Sequence, residues 1–223
     1  MQRIRSQQFS GYLMYVICLP LLTAGCSNSS TPASEEIDLG KISDSIYHNE
    51  YFDMDFSIPE KWHVLDEAEK QHLKDTGRAV LKNKGKNMEA KLKLSELRTV
   101  TLCSIFKHPL GTPVDFNPSM IMMAEKISFG QGISDGKDYL QHTKKMEEKL
   151  ALNISYPEEI TSKTIAGREF GEMSSVIDYD VVEITQLKFT TIMKGYALTF
   201  IVSYNNEEDK ALVKDIIKSI HFN

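Results

Sequence analysis

The sequence is poor in cysteine, and the positions of its cysteines exclude a fold held by disulfides. Only Cys18, Cys26 and Cys103 occur among the 223 residues. Small secreted domains that depend on disulfides are much richer in cysteine. If Cys18 and Cys26 serve targeting, Cys103 has no partner for an internal disulfide. The stability of the chain must then come from a hydrophobic core, which a protein of this length can build.

Acidic residues are missing from the start of the chain, where no Asp or Glu occurs before Glu35. Arg3 and Arg5 supply positive charge, and an almost wholly apolar run follows at residues 12–22. Its 11 residues are too few to span a bilayer, which needs about 20. A positive start and a short apolar segment predict a secretory signal peptide.

The apolar run ends in Leu22-Thr23-Ala24-Gly25-Cys26. Small residues directly before a cysteine resemble the lipobox of bacterial lipoproteins. The resemblance implies a diacylglyceryl thioether on Cys26, cleavage that removes residues 1–25, and Cys26 as the new N-terminus. Two acyl chains hold a protein stably at a membrane, at about 0.8 kcal/mol per buried methylene. The alternative is an ordinary cleaved signal with an incidental cysteine.

The rest of the chain divides into a tether and one domain. Residues 26–45 begin with a polar stretch of low complexity, Ser-Asn-Ser-Ser-Thr-Pro-Ala-Ser at 27–34, which is typical of a flexible tether. Residues 46–223 contain no internal repeat and no second linker, so they predict a single domain. The expected location is the extracytoplasmic face of a bacterial cell membrane, with the protein anchored through Cys26.

The charge of the processed chain excludes some partners. Loss of Arg3 and Arg5 from the 26 basic residues leaves 24 against 31 acidic residues, a net charge of −7. Nucleic-acid binding requires a basic face, so nucleic acid is not an expected partner. Contact with anionic lipid beyond the anchor is not expected either.

Hydrophobic patterning predicts an α+β domain. Apolar alternation indicates strands, and an acidic or hydroxyl residue followed by a 3.6-residue period indicates helices. The expected strands are 51–58, 99–107, 120–128, 159–165, 168–177, 181–193 and 196–204, and the expected helices are 66–81, 134–152 and 206–220. Tight hairpins between the later strands predict an antiparallel sheet of about six or seven strands, covered by about three helices.

Four motifs in order carry a resemblance to the PsbP/Mog-type fold. They are Phe-Ser-Ile-Pro-Glu-Lys-Trp at 56–62, Ile-Ala-Gly-Arg-Glu-Phe at 165–170, Gly-Tyr-Ala-Leu-Thr-Phe at 195–200, and the closing Glu-Glu-Asp helix at 207–209. The chain looks most like the uncharacterised bacterial lipoproteins of that group, over about residues 47–222. The group includes the extrinsic PsbP subunit of photosystem II and a Ran-binding protein, both non-enzymatic. The resemblance therefore implies a binding or assembly role.

One short motif could indicate an enzyme. Gly-Ile-Ser-Asp-Gly at 132–136 matches the G-x-S-x-G outline of a hydrolase nucleophile elbow, with Ser134 as nucleophile and His221 as a possible base. The alternative is that Ser134 or Asp135 caps the helix that follows. The predicted hairpins conflict with the parallel sheet that an elbow needs. Only His142 and His221 follow the serine. We therefore expect a cap and no catalytic site.

Other reactive residues predict no site. Cys103 and His108 would point to opposite faces of one strand, and a lone cysteine in an apolar run is usually part of the core. None of the six histidines forms an i, i+4 pair, so no zinc site and no cofactor are expected. These histidines are His48, His63, His72, His108, His142 and His221.

Two aspartate pairs could contact Ca²⁺. Asp53 and Asp55 fall on one face of a predicted strand, and Asp178 and Asp180 flank a predicted turn. Neither pair is accompanied by the glycine and closing glutamate of an EF-hand. A solvated strand face and a plain turn are the favoured interpretations, so no metal site is predicted.

Trp62 and Phe116 are the candidate binding surface. Trp62 is the only tryptophan and lies at a predicted corner, and Phe116 lies in a loop with three prolines. Exposed aromatic residues on stiff loops are good anchors for a partner, although both could instead cover the edge of the core. The leading hypothesis is a non-catalytic envelope lipoprotein that binds a protein or assists assembly. The alternatives are a lipid-anchored serine hydrolase that uses Ser134 and a small solute-binding lipoprotein.

Overall fold

The computed structural model describes residues 37–81, 97–128, 132–149, 153–179 and 182–223. The predicted signal peptide at 1–25, the lipidation site Cys26 and most of the predicted tether lie outside these residues. The tether was expected to run to residue 45. Strand β1 (Lys41–Ser43) lies within that range, so pairing begins earlier than the composition predicts.

The described residues form strands and three helices. After β1 come β2 (Ile46–Asn49), β3 (Met54–Ser57), β4 (His63–Val64), α1 (Glu67–Leu81), β5 (Thr99–Phe106), β6 (Ser119–Lys126), α2 (Gly136–Glu148), β7 (Ile154–Ser155), β8 (Thr161–Ile165), β9 (Arg168–Asp178), β10 (Glu183–Met193), β11 (Tyr196–Tyr204), α3 (Glu207–Lys218) and β12 (His221–Phe222). The longer strands and the three helices lie where the sequence predicts them.

The strands pair antiparallel in two sheets, which confirms the α+β class with an antiparallel sheet. The smaller sheet has the order β1-β2-β3-β12, and the eight-stranded sheet has the order β4-β5-β6-β11-β10-β9-β7, with β8 also paired to β9. The predicted hairpins are present. Lys194 and Gly195 both have positive φ, 50° and 80°, as a two-residue turn between twisted strands requires.

One core joins the two sheets. Met54 and Phe56 of β3 are buried in a cluster with Leu198 and Phe200 of β11, and Ile216 of α3 belongs to it too. Phe56 and Leu198 therefore face the same core from strands that are far apart in the sequence.

Helices α1 and α2 cover the other face of the eight-stranded sheet. Tyr139 and Leu140 of α2 pack with Met173 of β9, and Leu73 of α1 packs with Ile121 of β6. Both helices therefore lie on the face that points away from the main core.

Glycine allows α2 to begin very close to the sheet. A Cβ on Gly136 would lie 1.7 Å from the carbonyl oxygen of Thr190 and 2.8 Å from the backbone nitrogen of Gly171. No side chain fits in this space, so Gly136 is required by packing.

Two details differ from what the sequence predicts. The expected strand 51–58 is shorter, because the chain turns at Asp53, which has a φ of 51°, and β3 begins at Met54. The single sheet of six or seven strands is instead one sheet of eight and a second of four, β7 and β8 both pairing with β9.

Candidate functional site

Asp135, and not Ser134, caps helix α2. Asp135 Oδ1 accepts a hydrogen bond from the backbone nitrogen of Asp138 at 2.8 Å. Ser134 is exposed, and its hydroxyl donates to the Asp138 carboxylate. The hydrogen bond from the Ser134 side chain is the main reason why the pKa of Asp138 lies below its ordinary value. Of the two caps left open by the sequence, the structure selects the aspartate.

Ser134 lacks the surroundings of a nucleophile elbow. A catalytic serine gives its proton to a histidine, which a carboxylate then orients. Here the hydroxyl of Ser134 donates directly to the carboxylate of Asp138. His221 pairs with Asp55 in the smaller sheet. Strand β6, which precedes the motif, is antiparallel to both of its neighbours, so the parallel arrangement of an elbow is missing.

Cys103 is part of the core. It is 2% exposed, and burial raises the pKa of its thiol to about 12. The reactive form of cysteine is the thiolate, so this thiol is unreactive near neutral pH. His108 follows the strand, and its backbone is held by both ends of the Asn117 side-chain amide, at 2.9 and 2.8 Å.

Phe116 and Trp62 do not stand free of the domain. Phe116 is buried against Ile184, with Tyr179 and Val182 beside it. Trp62 is partly buried and packs on the main core. Burial of Phe116 favours the alternative weighed from the sequence, in which it covers the edge of the core.

Asp55 is engaged within the smaller sheet. On β3 it lies directly opposite His48 of the neighbouring strand β2 and opposite His221 of the other neighbouring strand, β12. It is hydrogen-bonded to His48 and accepts from Asn223 Nδ2 at 3.0 Å. The bond from Asn223 is the largest cause of the lowered pKa of Asp55. Asp53 lies in the preceding turn.

The second aspartate pair is only partly described. Asp178 ends β9, and Asp180 lies outside the described residues. Among the residues that the structure describes, no group of three His, Cys, Asp or Glu side chains could hold a metal ion.

A buried ion pair lies beneath α2 and was not predicted from the sequence. Lys188 Nζ of β10 lies 2.6 Å from Glu147 Oε1, and their side chains are 2% and 0% exposed. Tyr156 Oη donates to the other oxygen of Glu147 at 2.8 Å, and Lys188 Nζ lies 3.5 Å from Ser175 Oγ. Burial, followed by the Glu147 charge, raises the pKa of Tyr156 well above its ordinary value. The cluster is therefore a neutralised and hydrogen-bonded unit.

Lys188 belongs to a polar face of the eight-stranded sheet. Gln186 Nε2 of β10 donates to Ser203 Oγ of β11 at 3.1 Å, and the hydroxyls of Thr190 and Thr199 lie 2.9 Å apart. All of these side chains are buried. These side chains give the interior of the sheet a hydrogen-bonded polar face beneath α2.

Within the described part of the chain, no helix is long and apolar enough to cross a membrane.

Comparisons with known proteins find remote structural similarity. No protein-family model and no curated protein matches the sequence. Among solved structures, cyanobacterial PsbP (CyanoP) from Synechocystis aligns over 87% of this chain and 98% of its own, with 12% identity and a TM-score of 0.48. LpqN, described as involved in cell envelope biogenesis of Mycobacterium tuberculosis, aligns over 75% and 82%, with 13% identity and a TM-score of 0.45.

A third similar structure is a protein of unknown function from Pseudomonas aeruginosa. It aligns over 54% of this chain and 78% of its own, with 11% identity and a TM-score of 0.39. At such scores none of the three alignments assigns a role to this chain. The fold class rests on the antiparallel strand pairing described above.

Proposed function

We propose that the protein is a lipid-anchored lipoprotein on the extracytoplasmic face of a bacterial cell membrane, where it binds a protein partner or assists assembly without catalysis. The observation that carries this proposal is the Thr-Ala-Gly-Cys sequence ending at Cys26, directly after the short apolar run and before a polar stretch. A signal, a lipidation site and a tether follow each other in the order that an anchored protein needs.

Two structural features support a binding role. The reactive candidates are occupied or inert, since Ser134 contacts a carboxylate and Cys103 is a buried thiol. The fold also begins early, with β1 only 15 residues after Cys26. A chain of that length spans at most about 50 Å even when fully extended, which would keep the domain close to the membrane and to any partner there.

The anchor is tested by comparing two cysteine variants of the full chain expressed in a bacterium. We expect wild-type protein and Cys103→Ala to incorporate an alkyne-labelled fatty acid and to partition into detergent. Cys26→Ala should do neither, because the lipid is the proposed membrane attachment. Equal labelling and partitioning of Cys26→Ala would contradict the anchor.

The non-catalytic part is tested separately, with a fluorophosphonate probe that labels activated serines. We expect no labelling of wild-type protein above that of Ser134→Ala. Labelling that disappears in Ser134→Ala would support the serine-hydrolase alternative. Crosslinking of the native lipoprotein in cells, followed by mass spectrometry, then identifies its partner.

A further inference from the structure

The exposed apolar side chains of the domain are concentrated beside the predicted tether. In the part of the chain that the structure describes, four large hydrophobic residues are exposed. Three of them are Leu39, Ile42 and Ile46, at 44%, 44% and 46% exposure. They lie within eight consecutive residues. Single exposed hydrophobic residues are common, but a group of them on one element usually marks a contact surface.

These side chains surround the free edge of the smaller sheet. Strand β1 lies at the end of the order β1-β2-β3-β12, so among the described residues it pairs only with β2. Ile42 is opposite Tyr47, and these two side chains share the core side of the sheet. Ile46 is opposite Ser43 and lies on the other side. Apolar side chains therefore flank this edge on both sides, and we call residues 39–46 the β1 edge.

The chain that leads to Cys26 leaves the domain at the β1 edge. Asn49 Nδ2 donates to the carbonyl oxygen of Asp38, and Tyr47 Oη donates to that of Leu39, both at 2.8 Å. Both donor residues are buried, so the segment before β1 is fixed to the domain. Asp38 lies only 12 residues after Cys26, and a chain of that length spans at most about 40 Å when fully extended. A lipid on Cys26 would therefore hold the β1 edge near the bilayer.

The charge of the β1 edge fits a neutral lipid surface. Lys41 and Asp44 are its only Lys, Arg, Asp or Glu residues, and their charges cancel. The processed chain has a net charge of −7, so it should not be drawn to anionic lipid. Phosphatidylcholine carries no net charge and offers an apolar layer below its headgroups, in which leucine and isoleucine side chains leave water.

A second protein strand fits the same edge less well. Strand β1 has three residues and includes Lys41, and short edge strands with a lysine are typical of edges that resist the addition of another strand. A bilayer needs no backbone pairing. A tethered domain also meets the bilayer at a high effective concentration, so a few apolar side chains suffice for a contact that would be weak without the anchor.

We propose that the β1 edge is a second membrane contact, in which Leu39, Ile42 and Ile46 enter the headgroup region of a zwitterionic phospholipid bilayer. The proposal rests on the lipid anchor proposed above, and it adds which surface of the domain faces the membrane. Helix α2, on the far face of the eight-stranded sheet, then points away from the bilayer.

The test uses the full-length lipidated protein in phosphatidylcholine vesicles, with a fluorophore on one introduced cysteine. Cys26 carries the lipid, and burial raises the pKa of the Cys103 thiol, so an introduced exposed cysteine is the reactive one. Ser43→Cys places the fluorophore on the β1 edge, and Gln141→Cys places it at an exposed position of α2. Nitroxide-labelled lipid quenches a fluorophore that touches the bilayer. We expect quenching at residue 43 to be several-fold stronger than at residue 141.

Removal of the apolar side chains separates the contact from the anchor. With Leu39→Ser, Ile42→Ser and Ile46→Ser added to the Ser43→Cys protein, we expect quenching to fall to the level seen at residue 141, while the protein still floats with the vesicles. Unchanged quenching in this variant would overturn the role of the apolar side chains. The comparison of residues 43 and 141 needs none of these changes, so it decides the proposal even if the variant does not fold.

The remaining outcomes distinguish this contact from the anchor and from a second copy of the chain. Equal quenching at residues 43 and 141, with flotation intact, would overturn the membrane contact and leave the anchor standing. Wild-type protein that does not float with the vesicles would overturn both. Energy transfer between copies labelled at residue 43, without quenching by lipid, would assign the β1 edge to a second copy and overturn the proposal.

Discussion

At the scale of single residues, hydrogen bonds complete the buried ion pair of Glu147 and Lys188. Both carboxylate oxygens of Glu147 accept hydrogen bonds. Lys188 donates to one oxygen and Tyr156 donates to the other. Burial of an ion carries a desolvation cost of several kcal/mol, which an opposite charge at close range offsets only with such bonds. The pair therefore fixes where α2 lies on the sheet more than it stabilises the fold.

Removal of one partner should be costly. We expect Lys188→Met to lower the free energy of unfolding by about 3–5 kcal/mol, because it leaves Glu147 buried without a countercharge. Lys218→Met is the matched control, since Lys218 and Asp215 form an exposed pair and such pairs contribute about 0–1 kcal/mol. Urea unfolding midpoints measure both changes. Equal midpoints for the two variants would show that the buried pair is unimportant.

Asp55 should make stability depend on acid pH. Its folded pKa lies below the ordinary 3.8, so its contribution is present above that value and is lost as the pH falls through the folded pKa. We expect Asp55→Asn to be less stable than wild type near neutral pH and to have a weaker loss of stability below pH 4. The measurement is the unfolding midpoint as a function of pH. Identical pH profiles for wild type and Asp55→Asn would show that other carboxyl groups cause the loss of stability in acid.

At the scale of elements, local signals account for the parts that the sequence predicts well. Asp66 and Glu69 exchange hydrogen bonds, Glu69 N to Asp66 Oδ1 at 2.8 Å and Asp66 N to Glu69 Oε2 at 3.0 Å. Two residues three positions apart thus form the reciprocal capping pair that marks a helix N-terminus in a sequence. Strands β9, β10 and β11 have 9 to 11 residues. Each is long enough to show the two-residue period of a strand, and turn residues mark its ends.

Other elements could not be predicted, because distant partners create them. Strands β4, β7 and β12 have two residues each, too few to display a period. Lys188 lies in a strand, where a charged residue normally indicates a solvent-facing position. Its partner Glu147 is 41 residues away, so no local pattern connects them. The polar face was missed for the same reason.

The cap of α2 separates the two interpretations of the Gly-Ile-Ser-Asp-Gly motif. We expect Asp135→Ala to destabilise the domain by about 1 kcal/mol, because the Asp138 backbone amide loses its acceptor. Ser134→Ala should cost less, since Ser134 holds only the exposed Asp138 side chain. Asn206→Ala, which removes the cap of α3, is the reference for a lost cap. A larger loss for Ser134→Ala than for Asp135→Ala in thermal melts would contradict the assignment.

At the scale of the whole molecule, the two sheets depend on each other. Strands β2 and β3 bury Tyr47 and Phe56 in the same cluster as Leu198 of β11. The four strands of the smaller sheet have only two to four residues each, fewer than the usual length of about five or six residues, so this sheet depends on its packing against the larger one. Within the described residues, only Cys103 is a cysteine, and it is free. The shared core therefore has to hold both layers, and both should unfold together.

This dependence predicts a single unfolding transition. A mutation in either sheet should shift its midpoint, and every spectroscopic signal should report the same shift. Phe56→Ala in the smaller sheet and Leu198→Ala in the larger should each cost about 2–5 kcal/mol, as large core truncations do. Trp62 is the only tryptophan and packs on this core, so its fluorescence reports tertiary packing, while circular dichroism reports both sheets. We expect the two signals to coincide in each variant, which is the mark of two-state unfolding.

Leu39→Ala is the control, because Leu39 is 44% exposed and its truncation should leave the midpoint almost unchanged. Two separate transitions in Phe56→Ala, with circular dichroism changing before fluorescence, would mean that each sheet is stable without the other.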